Sequence, residues 1–372
     1  MRVLYLYAGS RRAFYEKWKR GEVPDTQLLG LNYMKDLGVD AEFIEWRFCE
    51  FLRRINFNLV HLPYIFAIKK YDIVFMCAGL PLVFLAKYIL RWKKPRFVIY
   101  NTYLANALAR NPQGLSGFIT RTAIQNLNAI VCTARAQIPP LLAAGIAQEK
   151  IHFAPIGIDV HKFIKNQRIV PKENIAQPDG ASIAKNQQIF MRVFGGELFS
   201  GYILSVGRDL GRDYKTLFEA VRGLDVKMIV ATKPEAVAGL AIPPNVEIRF
   251  HVPYEEMPAL YRSALFVMTP LKTSHPDGSE TSGQYGFLEP MAAGKAVIVS
   301  DKPSVRDYIE HDRTGILVEP ENPAALRVAI EKLLADEPLR TRLGETAKES
   351  VSKNFTSSHW ARSLAKVFRS SC

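Results

Sequence analysis

Cysteine is scarce in this 372-residue chain. There are four, Cys49, Cys77, Cys132 and Cys372, and none stands at C-x-x-C or another metal-ligand spacing. That argues against a disulfide scaffold or a zinc module and fits a reduced, cytoplasmic compartment. The seven histidines are scattered, with no Asp or Glu at ligand spacing, so no metal site is expected. Long hydrophobic runs are missing too. The start, MRVLYLYAGS, lacks a small-residue cleavage site and reads as a first strand. The longest apolar stretch, LPLVFLAKYIL, is broken by Lys87, followed by RWKK and too short to span a bilayer. Repeats at solenoid spacing and low-complexity tracts are absent. Acidic residues are short in one half only: residues 1–180 hold 25 Lys+Arg against 13 Asp+Glu, and residues 181–372 hold 24 against 23. The net charge of +13 is therefore almost all in the first half.

What the chain does have is a regular supply of short β-branched and aromatic runs. The first half offers RVLYLYA, AEFIEW, DIVFMC, RFVIYN, AIVCT and IHFAPIG; the second offers YILSVG, VKMIVAT, VEIRF, ALFVMTP, AVIVSD and TGILVE. Near-continuous apolar runs suit strands buried on both faces, and helix-period segments between them suit parallel crossovers. The fold class is α/β, with two doubly wound sheets. The chain divides into a first domain over 1–163, a polar linker or insertion over 164–200, a second domain over 201–355 and a final helix over 356–372.

Ligands of such sheets bind beyond the strand C-termini, where loops enter helices. Two facing sheets make an interdomain cleft. In that setting ETSGQYGFLEPMAAG becomes readable: Gly283 and Gly286 let backbone approach a ligand, and amides near Gly286 and Phe287 offer an anion site. Glu289 can accept two hydrogen bonds from neighbouring hydroxyls, as on a ribose; alternatively it is a solvated first-turn charge. In SVGRDLGRDYKTLFEA, Arg208 ends a strand and Arg212 follows four residues on. Two guanidiniums there suit a diphosphate, the alternative being pairing with Asp209 or Asp213 at the surface.

With SVGRDLGRDYKTLFEA, FLEPMAAGKAVIVSD, TGILVEPENPAALRVAIEKLL and AIVCTARAQIPPLLAAGIAQEKIHFAPIGIDVHKF together, the chain resembles the retaining glycosyltransferases of family 4, also called group 1, which have the GT-B architecture of two Rossmann-like domains. The resemblance implies a nucleotide-sugar donor, UDP ahead of GDP, held mainly by the second domain. It places Arg208 and Arg212 on the diphosphate as the catalytic charges and Glu289 on the ribose. It puts the loop Gly283, Gln284, Tyr285 and Gly286 against the donor, and brings the region of Ala8, Gly9 and Ser10 over the diphosphate. It also implies that the final helix, HWARSLAKVF, crosses back to the first domain. The implied reaction is a metal-independent, same-face transfer without a protein nucleophile, in which the leaving diphosphate takes the acceptor's proton. No cofactor is implied beyond the nucleoside-diphosphate sugar as substrate.

Two positions depart from the family pattern. Thr281, preceded by Glu280, stands where a second glutamate is usual, and Asn101, Thr102 and Tyr103 stand where a histidine is common. Asn101, Tyr103, Glu280 and Thr281 are therefore candidates for the acceptor or donor-sugar side, and Asn101 and Tyr103 also read as a polar strand end. The expected acceptor is a glycan, lipid or small molecule, in cell-surface glycan or glycolipid synthesis. A second expectation is an anionic membrane surface at the inner face of the plasma membrane, met by FCEFLRRINFNLVHLPYIF and LPLVFLAKYILRWKK. No nucleic-acid motif is present. The alternatives are a catalytically silent nucleotide-sugar-binding subunit and a basic membrane-surface binding protein.

Overall fold

A computed structural model describes residues 1–56, 59–102, 104–109, 113–164, 201–273, 281 and 283–371. Tyr103, Glu280 and nearly all of the expected linker, residues 165–200, lie outside the described residues. Each of the twelve apolar runs forms a strand. β1 (Arg2–Leu6), β2 (Asp40–Phe43), β3 (Ile73–Met76), β4 (Arg96–Tyr100), β5 (Ala129–Cys132) and β6 (Ile151–Phe153) make one sheet in the order β2-β1-β3-β4-β5-β6. β7 (Tyr202–Val206), β8 (Met228–Thr232), β9 (Val246–Phe250), β10 (Ala264–Thr269), β11 (Val297–Ser300) and β12 (Ile316–Val318) make the other, in the order β12-β11-β10-β7-β8-β9. All the pairings are parallel, with Val3 opposite both Ala41 and Ile73, and Leu204 opposite both Ile229 and Val267.

The apolar runs are continuous because both faces of each sheet are covered. Successive side chains point to opposite faces, so Val3 and Tyr5 join one cluster while Leu4 and Leu6 join another. Leu204 and Ile203 divide in the same way. The inner faces of both sheets feed one core that runs through the two domains, bridged by Ile156, Ile158 and Phe163.

The last helix, Ser357–Ser370, packs on the first domain although it follows the second. Ile158 and Thr356 form a bridge, and the Ser357 N–H donates to the Ile158 carbonyl at 2.8 Å. The Trp360 indole N–H donates to the Leu29 carbonyl at 3.1 Å, and Phe368 meets Tyr5 and Phe75 edge-on. Gly30, at φ +83°, lets Ala361 approach: a Cβ there would lie 3.0 Å from the alanine's own.

Candidate active site

Both sheets aim their strand C-termini at one cleft. A cavity of about 780 Å³ lies there. Tyr100 and Thr102 reach it from the end of β4, Gly207 and Arg208 from β7, Thr232 from β8 and His251 from β9. In the second sheet the chain turns from β9 back to the far side of β7 to form β10, so this end of β7 is the topological switch point. Phe14 and Lys17 line the opposite wall.

Arg212 is the buried cation of this cleft, 6% exposed. Its guanidinium lies in a slot that only glycines leave open. A Cβ on Gly207 would come within 2.1 Å of Nε, and one on Gly286 within 2.5 Å of Nη2. Gly283, at φ +91°, forms a third side of the slot. Nε and Nη1 are buried and have no hydrogen-bond partner among the described residues. The neighbouring Asp213 does not neutralise it there: its Oδ1 accepts the Thr216 N–H at 3.1 Å and caps the next helix. Buried donors without acceptors are costly, and donors aimed into a cavity mark a place for an anion. Arg208 lines the same cavity but is exposed, and its Nη2 donates to the Val252 carbonyl at 2.9 Å.

Glu289 belongs to the helix Gln284–Ala292, whose N-cap is Gly283. It is 3% exposed and in the second turn, which removes the reading of a solvated first-turn charge. The helix also opens earlier than the sequence suggests, so its free amides are those of Gln284 to Gly286; the Phe287 N–H already donates to the Gly283 carbonyl. Tyr254 donates to Glu289 Oε1, and Tyr261 donates to Oε2 at 3.0 Å. Burial pushes this carboxyl up to about 7, against the two tyrosine bonds that pull it down. Neither tyrosine stands out in HVPYEEMPALY. Seven residues apart, they read as an apolar helix stripe.

Gln284 is committed elsewhere. Its Nε2 donates to the Tyr308 hydroxyl at 3.1 Å, and its Oε1 accepts from Thr133 Oγ1 at 3.2 Å, across the domain boundary. Tyr308 in turn donates to the Thr133 carbonyl at 2.6 Å, and Arg135 pairs with Asp307 at 2.6 Å. At the mouth of the cleft Lys17 pairs with Glu255 at 2.5 Å, and Phe14 meets Tyr254. Thr281 and Tyr285 line the cavity with Gly283 and Gly286.

Two expected groups are not brought to the cavity wall. Gly9 and Ser10 line a separate cavity of about 300 Å³. There Ser10 Oγ donates to Glu45 at 2.6 Å, and the Arg11 N–H donates to the same carboxylate at 2.7 Å. Asn101 is fully buried; its Oδ1 accepts the Leu104 N–H at 3.1 Å and its Nδ2 points to Cys132 Sγ. It is a strand-end cap, and its neighbour Thr102 is the residue at the cleft. Among the described residues no group of three His, Cys, Asp or Glu is placed to hold a metal ion.

Residues 201–350, most of the second domain, match the family model described as glycosyl transferases group 1. The putative glycosyltransferase YtcC of Bacillus subtilis is 26% identical over 134 residues, 35% of this chain and 31% of that protein. An uncharacterized glycosyltransferase of Methanocaldococcus jannaschii, MJ1607, is 30% identical over 82 residues, 22% of this chain. That match spans 21% of MJ1607, so the likeness to these relatives covers a third or less of their length. The crystal structure of Anabaena Alr3699/HepE in complex with UDP and glucose superposes over 100% of both chains at a TM-score of 0.68 and 13% identity. WaaG, a glycosyltransferase involved in lipopolysaccharide biosynthesis, superposes over 99% of both at 0.61 and 14%. The architecture is that of the GT-B glycosyltransferases.

Proposed function

We propose that this chain is a retaining hexosyltransferase that moves a sugar from a nucleoside-diphosphate sugar, UDP ahead of GDP, to an acceptor hydroxyl in cell-surface glycan or glycolipid synthesis. The observation that carries the reading is Arg212, a buried guanidinium with two unpartnered nitrogens held by glycines against the interdomain cavity. A donor diphosphate supplies the acceptors those nitrogens lack. Arg208, after release from the Val252 carbonyl, adds the second charge. Glu289 takes the ribose hydroxyls, and the backbone from Gly283 to Gly286, with Thr281, faces the sugar. Support comes from the group 1 match and from the UDP named with the HepE structure, which has the same fold.

In the reaction the bond from the anomeric carbon to the diphosphate oxygen breaks, and the acceptor oxygen bonds that carbon on the same face. The acceptor's proton passes to the leaving diphosphate. The two arginines stabilise the charge that develops there, which asks for no protein nucleophile and no metal. Calorimetry with UDP and GDP tests the site. Turnover of a labelled UDP-hexose, with and without a chelator, tests the chemistry. Nucleotide binding without any transfer identifies a silent nucleotide-sugar-binding subunit instead, and no nucleotide binding at all sinks both readings.

A further inference from the structure

Away from the cleft, one part of the first domain combines charge of a single sign with uncovered apolar side chains. Residues 47–125 contain 12 Lys+Arg and only 2 Asp+Glu. The same stretch supplies eight of the fourteen large hydrophobic residues exposed among the described residues. Elsewhere in the chain such residues are scattered, as on any protein surface. Here five of them are gathered by two segments. Tyr88, Ile89 and Leu90 end the helical segment that begins at Leu80, and Leu115 and Phe118 open the helix Gly114–Gln125. The Phe118 ring meets Phe84 at 5.8 Å and Tyr88 at 5.4 Å, so the two segments form one aromatic cluster. Leu115 is 73% exposed and Ile89 54%.

The surrounding cations sort by what they touch. Lys87, expected from the sequence to face lipid, turns inward and donates to the Trp92 and Lys93 carbonyls at 3.0 and 2.9 Å, pinning the turn. Lys94 pairs with Asp72 at 2.8 Å. Arg91 and Lys93, which follow Leu90 directly, are exposed. No helix of the described residues is long and apolar enough to cross a membrane, so such a face has only the surface of a bilayer to enter.

We propose that the Tyr88–Leu90 turn and the Leu115–Phe118 helix start form a docking surface for an anionic lipid bilayer, the apolar side chains entering the headgroup layer while Arg91 and Lys93 meet its charge. Apolar insertion and surface charge are the two signals that stable peripheral attachment needs. A nucleic acid or acidic protein would satisfy the charge but not the solvent-facing leucines. The inference does not rest on the transferase reading.

The test is flotation of the full-length protein with vesicles of phosphatidylcholine alone or mixed with phosphatidylglycerol, at low and high salt. Calorimetry with UDP is run on the same samples. The protein floats with the anionic vesicles at low salt and not with the neutral ones. Leu115→Ser with Phe118→Ser reduces flotation about tenfold, and Arg91→Ala with Lys93→Ala about twenty-five-fold, since each surface cation is worth about fivefold. Neither pair of changes alters UDP affinity. Wild-type protein that stays unbound at low salt overturns the proposal. So does an apolar double variant that floats like the wild type, because the attraction is then to any polyanion.

Discussion

In its own strand count the second sheet runs 3-2-1-4-5-6 and the first 2-1-3-4-5-6, so both place a switch point beside their first strand. They differ in what they leave uncompensated. The second domain, almost neutral, buries a guanidinium without partners and a carboxyl with a displaced proton affinity, both against the cleft. The first domain carries nearly all the net charge, and residues 1–164 hold eleven of the fourteen exposed large hydrophobics, yet its expected cleft residues are satisfied internally. Unpaired groups inside one domain and unpaired surface on the other point to different ligands, a small anion in the cleft and a broad surface outside it.

Glu289 offers the largest effect. In the unfolded chain a glutamate titrates near its ordinary value of 4.5, and in the folded chain this one titrates at about 7. Between those values the folded state holds the proton that the unfolded state has released. Its contribution is therefore complete below about pH 4.5 and is lost as pH rises through about 7, some 3 kcal/mol in all. Glu289→Gln, neutral throughout, lacks this slope. Urea melts of both proteins between pH 4.5 and 8 check it: parallel profiles would mean that the carboxyl titrates normally. Asp25 in the first domain is also raised by burial, but it does not line the cavity. UDP should flatten only the Glu289 slope.

Arg212→Ala comes next. Removing two charge-assisted contacts of about 1.5 to 3 kcal/mol in total weakens UDP binding about ten- to hundredfold. Stability should move the other way, because the buried Nε and Nη1 donors have no acceptor among the described residues. A melting temperature unchanged or raised, with affinity lost, marks a group kept for ligand. Lost stability together with unchanged affinity would make Arg212 a packing residue and leave the cleft without its anion site.

The sequence made the strands and the second domain readable, and much less of the first domain's polar chemistry. Twelve apolar runs became twelve strands because burial on both faces leaves a composition signal that needs no knowledge of the partner strand. Arg212, Gly283, Gly286 and Glu289 were readable because they sit within a few residues of strand ends and one helix start. The contacts of Tyr254, Tyr261 and Gln284 leave no local signal, since their partners lie 28 to 151 residues away. Ser10 looked like a ligand residue for the same reason: its partner, Glu45, lies 35 residues on at the end of a neighbouring strand. Lys87 was misread because a long side chain can fold back onto backbone carbonyls.

Asn101 sharpens the contrast on the first domain's side. Replacing it by Ala leaves the Leu104 N–H without its acceptor in a fully buried place, at a cost of about 1 to 2 kcal/mol. UDP affinity should stay within about twofold, since the residue does not line the cavity. Denaturation and calorimetry on the same sample separate the two, and a large loss of affinity at full stability would return Asn101 to the site.

The smallest effect concerns an ion pair at the cleft mouth, Lys17 with Glu255. The pair is short, and Lys17 holds Glu255 below the usual carboxylate range although burial pulls the other way. Both side chains remain partly open, 44% and 32% exposed, so screening keeps the pair near 0.2 to 1 kcal/mol. Two roles remain for Lys17. As a latch it acts only through Glu255, so Lys17→Ala and Glu255→Ala each weaken UDP binding less than about fivefold, the double variant loses no more than either, and high salt erases the difference. As a phosphate ligand it acts on the nucleotide, so Lys17→Ala alone costs tenfold or more and Glu255→Ala, by freeing the lysine, tightens binding. The geometry favours the latch, because the ammonium is already paired whereas Arg212 Nε and Nη1 have no partner among the described residues. The sign of the Glu255→Ala effect on UDP affinity decides between them. A tightening would extend the anion site across the cleft, and the first domain would then contribute charge to chemistry that otherwise belongs to the second.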